Sequence, residues 1–404
     1  MYSAAANHSR AEPGPSEGTT SNQPPGAIAG NFETQYAGLV IHADLDRLVT
    51  IPAIVDAARR ALPAELWDYS CGGSESETTL RRNRSAFDEI AFRPRVLRDV
   101  SRVDIGATFL GEALALPIML APVGSIGHFD TRGALACAGA AHRNRTAAFV
   151  SSLSTPDLET VSADRSGPLY FQLYMSGSRE WAAGIVRRVE EAGYAGLCLT
   201  VDSAAYSRRE RDLHNRFVPM GGIERPNLRD LGPASSRRQG PRGEATVTWE
   251  TVDWLRSTTR LPLMLKGIMT DHDARLAVEH GADVVYVSNH GGRQLDHLPA
   301  AIDVLPEIVA AVDGRAEVLV DSGFMRGSDV VKALCLGARA VLIGKLMLWG
   351  LAAAGEPGLV RTLEILAQEI RITMANLGAV SIADLVPGHL RPARAPAAAP
   401  WPIA

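Results

Sequence analysis

The stretch VVYVSNHGGRQLD, residues 284–296, changes character partway along. Val284 to Val287 are apolar throughout and rich in β-branched residues, over a length too short for a helix. That pattern is a strand covered on both faces, the kind found in a parallel sheet. From Ser288 onward the chain turns polar, ionisable and glycine-rich.

Seven other runs repeat the apolar half of this pattern. With Val284–Ser288 the set is Pro117–Ala121, Ala148–Ser152, Leu169–Leu173, Gly196–Val201, Pro262–Lys266, Glu317–Asp321 and Ala340–Ile343. The spacings leave room for a crossover helix between parallel strands. Eight such units predict an α/β protein with a closed (β/α)8 TIM barrel rather than an open sheet. Ahead of them, Ile51, Ile54, Val55, Ala58 and Leu62 follow the 3.6-residue period of a core-facing helix. After the fourth strand the chain makes a long excursion. A crossover helix is expected near Trp249–Thr258, and residues 207–245 are polar, glycine-rich and Arg-rich. This long loop reads equally as a lid over the barrel mouth or as a surface insertion.

The ends are poor in large apolar groups. They divide the chain into a flexible leader (1–40), the barrel (41–390) and a flexible Pro/Ala tail (391–404). Hydrophobic residues make up 46% of the 404, enough for a large core, and the net charge of −4 offers no basic field for nucleic acid. The four cysteines are dispersed without CxxC spacing, so they read as small buried hydrophobes rather than a metal or disulfide framework. Nothing approaches an integral membrane segment or the apolar core of a signal peptide, and a cytoplasmic location is expected.

In barrel enzymes the chemistry sits where strands end. Here those ends carry Gln172 and Tyr174, then Thr200, Asp202 and Arg209, then Lys266, then Ser288, His290 and Arg293, then Asp321, Ser322 and Gly323, and finally Gly344 and Lys345. Turns alone need Gly, Asn and Asp, not Lys, Arg and His. His290 titrates near neutrality and can act as a base. Arg293 follows two glycines, and its planar fork matches a carboxylate. Taken singly, His290 and Arg293 also fit a solvated turn. Asp202 fits either a partner orienting His290 or a strand-end cap. Arg209 fits a second anion clamp or a solvated charge, and Lys266 an anion contact or a side chain reaching out to water. Gly323, Gly327 and Gly344 lie after strands 7 and 8, the usual barrel site for a phosphate.

The chain resembles the FMN-dependent 2-hydroxy-acid oxidase and dehydrogenase family, which includes glycolate oxidase, lactate oxidase and mandelate dehydrogenase. The resemblance runs over residues 50 to 385 through WDYSCGG (67–73), LPIMLAP (116–122), FQLY (171–174), LTVDSAAYSRRERD (199–212), LKG (265–267), SNHGGRQLD (288–296) and VVKALCLGARAVLIG (330–344). It implies FMN across the barrel mouth, with Pro122, Val123, Gly124, Ser151, Gln172, Thr200, Lys266 and Ser288 around it. Its phosphate is implied at Asp321, Ser322, Gly323, Gly344 and Lys345. His290 is then the base oriented by Asp202. Arg209 and Arg293 hold the substrate carboxylate, Tyr69 and Tyr174 add hydroxyl contacts, and Lys266 stabilises the anionic reduced ring. The implied reaction converts a small 2-hydroxy acid to a 2-oxo acid, by hydride or carbanion transfer. Oxygen, a quinone or a carrier protein would serve equally as final acceptor, and a homotetramer or octamer is implied. A related flavin barrel catalysing amine oxidation or isomerisation, or a non-catalytic ligand-binding barrel, are the alternatives.

Some positions depart from the family pattern. Met325 stands where the family has a phosphate-binding arginine, with Arg326 next to it, and Lys345 replaces an arginine after Gly344. A lysine keeps the charge but loses the fork, so FMN is expected to bind more weakly. Asp130 and Ala134 replace a usual His and Glu. Leu153 occupies a position that is aromatic in glycolate oxidase, and Gly124 matches mandelate dehydrogenase, which together imply room for a larger or aromatic acid.

Overall fold

The computed structural model describes residues 44–163, 167–219, 224–229 and 246–394. The leader 1–40, the end of the tail from 395, and residues 220–223 and 230–245 of the long loop lie outside the described residues.

Eight parallel strands close into a barrel. They are β1 (Ile118–Leu120), β2 (Ala148–Ser151), β3 (Leu169–Leu173), β4 (Gly196–Thr200), β5 (Leu263–Ile268), β6 (Val284–Val287), β7 (Glu317–Val320) and β8 (Ala340–Ile343). Each pairs with its neighbours in chain order, and β8 closes onto β1. The helices are α1 (Ile51–Ala61), α2 (Ala64–Cys71), α3 (Thr78–Ser85), α4 (Ala134–Arg143), α5 (Leu158–Ser162), α6 (Arg179–Glu191), α7 (Glu210–His214), α8 (Trp249–Thr258), α9 (Asp271–Glu279), α10 (Ala301–Val312), α11 (Gly327–Cys335) and α12 (Lys345–Leu377). Helix α12 kinks at Ala354–Gly355.

Side-chain alternation sorts each strand into an outer and an inner set. Outward residues such as Val150, Phe171, Leu199 and Leu265 pack with the helices in one large core. Inward residues Phe149, Tyr170, Cys198, Met264, Tyr286 and Leu319 form a second cluster inside the barrel. Two residues further along, the same parity brings Ser151, Gln172, Thr200, Lys266, Ser288 and Asp321 to the upper end of the barrel. All six are buried. The interior is therefore apolar below and polar above, and the polar layer faces the end where catalytic groups gather in this architecture.

A short hairpin, Ala107–Phe109 with Glu112–Leu114, closes the lower end. Phe109 and Leu114 join the inner cluster, the Phe109 ring lies 5.2 Å from that of Tyr170, and the Leu110 N–H donates to Glu317 at the start of β7.

At the opposite end, α1 begins at Thr50, whose Oγ1 accepts the Ala53 N–H. Ile51, Ile54, Val55 and Ala58 are buried as the periodicity predicts, while Leu62 is only partly buried and caps the helix. Helices α2 and α3 are fastened to the loop after β6. The Ser74 N–H donates to Gly292 O at 2.8 Å, Asp296 accepts the Thr78 and Thr79 N–H groups at the start of α3, and Asn83 exchanges hydrogen bonds with Asn289. A carboxylate at a helix N-terminus is favoured, and these N–H donors help hold Asp296 well below the usual carboxylate range against the opposing effect of burial.

Leu390–Pro392 pair antiparallel with Ile90–Phe92, which corrects the tail boundary: residues 391 and 392 belong to a strand. The backbone partners come from nearly 300 positions earlier, so composition near the terminus gives no sign of them. Among the described residues, no helix is long and apolar enough to cross a membrane, no cluster of metal-binding side chains occurs, and the four cysteines are buried and unpaired.

Candidate active site

A cavity of about 1160 Å³ opens at the polar end of the barrel. His290 lines it from the loop after β6 with a backbone φ of +59°. Ser288 fixes this turn by accepting the His290 N–H at 3.1 Å. The His290 Nδ1 sits 2.9 and 3.1 Å from the two carboxylate oxygens of Asp202. An ionised Asp202 requires the proton on Nδ1, which leaves Nε2 to act on a ligand. Burial, together with the charges of Lys266 and Arg209, lowers the His290 pKa more than Asp202 raises it. Burial pushes Asp202 up, but His290, Lys266 and Ser203 together outweigh it and bring Asp202 down to about 2. The pair therefore rests as carboxylate and neutral imidazole near neutral pH.

Gly267 makes this approach possible. Its φ is +117°, and a Cβ there would fall 2.7 Å from Asp202 Cβ and 2.9 Å from Asp202 N. One residue earlier, buried Lys266 donates to Ser288 Oγ at 3.0 Å and stands 3.9 Å from Asp321. Burial disfavours its charge, but Asp202 and Asp321 reverse the balance and its pKa is raised.

Arg293 packs with its guanidinium 4.5 Å from the centre of the Tyr69 ring. Its Nη1 donates to the carbonyls of Tyr69 and Gly72. Its Nη2 is buried without a protein partner, a costly arrangement unless an anion completes it. Arg209 lies beside it. Its Nε donates to Ser207 Oγ and Arg293 O, each at 3.2 Å, and its guanidinium stacks over Tyr206. Two guanidinium groups thus border one cavity. Burial and the neighbouring Arg209 lower the Arg293 pKa, the electrostatic signature of a site awaiting negative charge. Tyr174 lines the same space. So does Tyr69, whose Oη is 2.6 Å from Ser125 Oγ.

The described start of the long loop packs here. After α7, Phe217 sits 5.2 Å from Tyr69, and Pro219 lines the cavity while its carbonyl meets His128 Nε2 at 2.9 Å. Residues 224–229 of the expected lid pack beside α5, where Asn227 Oδ1 accepts the Leu158 N–H at 2.9 Å, and residues 220–223 and 230–245 lie outside the described residues.

Pro122, Val123 and Gly124 form another wall. A Cβ on Gly124 would fall 2.6 Å from Leu153 Cβ, so this glycine is what lets Leu153 lean in. Behind that wall, Ser151 Oγ donates to Gln172 Oε1 at 2.7 Å, and Gln172 Nε2 donates to Thr200 Oγ1 at 2.9 Å. These three, with Asp202 and Ser288, stand one layer behind the groups that line the cavity.

Asp321, Ser322, Gly323, Gly344 and Lys345 border the cavity's other end. Tyr286 Oη and Ser322 Oγ each donate to one Asp321 oxygen, at 2.8 and 2.7 Å, and Ser322 Oγ accepts the Gly291 N–H. Gly323 is required: at its φ of +84° a Cβ would lie 2.2 Å from Asn83 O. The cations expected at this end are engaged elsewhere. Met325 is buried, Arg326 pairs with Glu369 at 2.5 Å, and the Lys345 ammonium donates to Cys71 O and Gly72 O, both at 2.7 Å. Arg84 approaches from α3, bridging Asp329 and Gly323 O.

Sequence reasoning assigned no role to Ser125, Tyr206, Arg84 or Asp296. Asp296 lies within the SNHGGRQLD motif, but only the fold reveals that it starts α3.

The FMN-dependent dehydrogenase profile matches residues 58–392. The chain is 40% identical over 353 residues to the peroxisomal (S)-2-hydroxyacid oxidase GLO4 of Arabidopsis thaliana, covering 86% of this chain and 97% of that protein. It is 42% identical over 342 residues to an L-lactate oxidase of Nostoc, covering 81% and 94% respectively. A soluble mutant of the membrane-associated (S)-mandelate dehydrogenase of Pseudomonas putida superposes with a TM-score of 0.82 at 39% identity, over 86% of this chain and all of that one.

Proposed function

The chain belongs to the FMN-dependent dehydrogenase family and oxidises a 2-hydroxy acid to a 2-oxo acid with FMN, and within that reaction we propose that His290 is the base and that Arg293 and Arg209 grip the substrate carboxylate. One observation carries this reading. His290, held by Asp202, and Arg293, whose Nη2 has no protein partner, line a single cavity, so a base and an anion receptor address one ligand.

The residues present fit the cofactor. The cavity is large enough for a flat ring system and its tail. Lys266 brings a buried positive charge to the polar layer, beside the Ser151–Gln172–Thr200 chain of amides and hydroxyls. Gly344 is the N-cap of α12 at the cavity, where the first N–H groups lack intrahelical partners, whereas the N–H groups at the start of α11 are already taken by Asp329 and Glu369. When bound, FMN supplies the two-electron acceptor that side chains lack. Pro122, Val123 and Gly124 would line its ring, Lys266 would balance negative charge on the reduced form, and Asp321, Ser322, Gly323 and the backbone of the Gly344–Lys345 turn would hold its tail.

The protein's own part is positional and protolytic. Arg293 and Arg209 orient the carboxylate, which places the adjacent hydroxyl-bearing carbon near His290. The Nε2 of His290 takes a proton from the substrate, and Asp202 stabilises the imidazolium that results. Tyr69 and Tyr174 add hydroxyl groups to the same wall. The Gly124–Leu153 wall favours an acid with a bulky or aromatic side chain.

In the cell we place the protein in the cytoplasm as a homotetramer or octamer. The buried, unpaired cysteines are compatible with a reducing compartment. Anaerobic mixing of the flavin-loaded protein with a panel of 2-hydroxy acids tests the catalytic reading. Bleaching of the flavin band by at least one acid is expected, and no bleaching by any of them would overturn it. Admitting oxygen, a quinone or a carrier protein afterwards identifies the acceptor by the return of colour.

A further inference from the structure

Lys345 is the first residue of α12 and follows Gly344 at the cofactor end of the cavity. Its side chain does not stay there. The ammonium donates to Cys71 O and Gly72 O at 2.7 Å each, the carbonyls at the C-terminal end of α2. Unpaired carbonyls at a helix end attract cations, and a lysine there completes the helix much as a cap does. Gly72 O has a second donor, Arg293 Nη1, at 3.0 Å. The same Nη1 bonds Tyr69 O, one turn back in α2. The end of α2 is therefore a shared footing: Lys345 holds it from one side, and Arg293 braces against it from the other. Removing Lys345 would leave Cys71 O without this donor and Gly72 O with Arg293 alone.

Three features support a positioning role. The contacts are shielded from water, which strengthens a hydrogen bond relative to a surface contact even though burial and the nearby Arg293 hold the Lys345 pKa well below the usual lysine range. They join segments more than 270 positions apart, so they fix tertiary geometry rather than local helix structure. The carbonyls concerned lie in the helix that also supplies Tyr69 to the cavity wall.

We propose that Lys345 is a positioning residue for the substrate clamp: by anchoring Cys71 O and Gly72 O it sets the end of α2 against which Arg293 is braced, rather than supplying charge to the FMN phosphate. The inference rests on reading Arg293 as the carboxylate clamp.

The test uses the flavin-loaded full chain and two titrations for each variant. One measures FMN affinity by fluorescence after removal and return of the flavin. The other measures the affinity of an unreactive 2-oxo acid through its perturbation of the flavin spectrum. For Lys345→Met, the 2-oxo acid should bind about tenfold or more weakly, the scale of leaving a buried carbonyl without its donor, while FMN affinity changes less than about threefold. Lys345→Arg, which can still donate to both carbonyls, should recover much of the loss. Weaker FMN binding with unchanged 2-oxo-acid binding would overturn the proposal, as would no change in either. If both weaken, a double-mutant cycle with Arg293→Met decides: strong coupling on 2-oxo-acid binding supports the proposal, and additivity overturns it. Arg293→Met alone is the control for the clamp. Unchanged 2-oxo-acid affinity in that variant would remove the clamp itself, and the Lys345 role with it.

Discussion

The Nδ1 of His290 lies 2.9 Å from one carboxylate oxygen of Asp202 and 3.1 Å from the other. The contact joins the loop after β6 to the end of β4. It fixes which ring nitrogen is free and gives the resulting imidazolium a stabilising charge. Replacing His290 with Gln should leave FMN bound yet slow flavin reduction by about 10²–10⁴-fold, the usual worth of a general base. Near-normal anaerobic bleaching in stopped flow would contradict the assignment.

Asp202→Asn acts on the same pair in a measurable direction. Asp202 raises the His290 pKa against the combined effect of burial, Lys266 and Arg209, so its neutralisation lowers that pKa further. The base works when neutral, so activity rises as pH climbs through this pKa. The acidic limb of kcat/KM should therefore shift to lower pH in the variant, while the plateau falls because the imidazolium loses its counter-charge. An unshifted limb would mean that another group controls it.

The pair also predicts how stability responds to acid. His290 has a lowered pKa in the folded state, so its contribution is present above its unfolded value near 6.5 and is lost as pH falls below it. Asp202 is lowered to about 2, so its contribution is present above about 4 and disappears as pH falls towards 2. Melting temperature should decline in two stages on acidification, and Asp202→Asn should reduce the lower one, to which Asp296 and other hydrogen-bonded carboxylates also contribute. Thermal melts between pH 8 and 3 check this.

Gly124→Ala should alter substrate choice. The added methyl would meet Leu153 Cβ at 2.6 Å, so Leu153 must move. A narrowed wall penalises bulky acids more than small ones, by about tenfold for a methyl-sized intrusion. The ratio of kcat/KM for mandelate over glycolate is the measurement, and it should fall.

Phe217→Ala removes the aromatic contact between the described start of the long loop and Tyr69. A rise in KM of about fivefold is expected, with kcat less affected, because an aromatic pair is worth about 1 kcal/mol beyond its buried area. Steady-state kinetics with a single 2-hydroxy acid would show it.

The barrel was legible in the sequence because its strands are covered on both faces, and such strands show as uninterrupted apolar runs. Leu169–Leu173 and Ala340–Ile343 match the predicted bounds residue for residue. Only β5 runs on, through Gly267 to Ile268, where a register irregularity and a positive φ take the place of a clean end. The lower hairpin left no signal. Its turn is Leu110–Gly111, and Leu110 takes a positive φ that usually announces itself as Asn or Asp. The residue types of the active site were readable too, since Lys, Arg and His at apolar strand ends need a purpose. Side-chain direction was not. That Lys345 turns from the cofactor end to α2 depends on where a helix 270 positions earlier happens to finish, which no local pattern encodes.

Among the described residues, the hairpin and the inner cluster fill the lower barrel like the floor of a vessel. With Phe109 and Leu114 stoppering the base, the described residues leave a ligand no through-route along the barrel axis. Incoming acid and outgoing oxo acid must share a doorway, so each turnover has to clear its product before the next begins, and any protein that drapes over that rim governs the traffic in both directions.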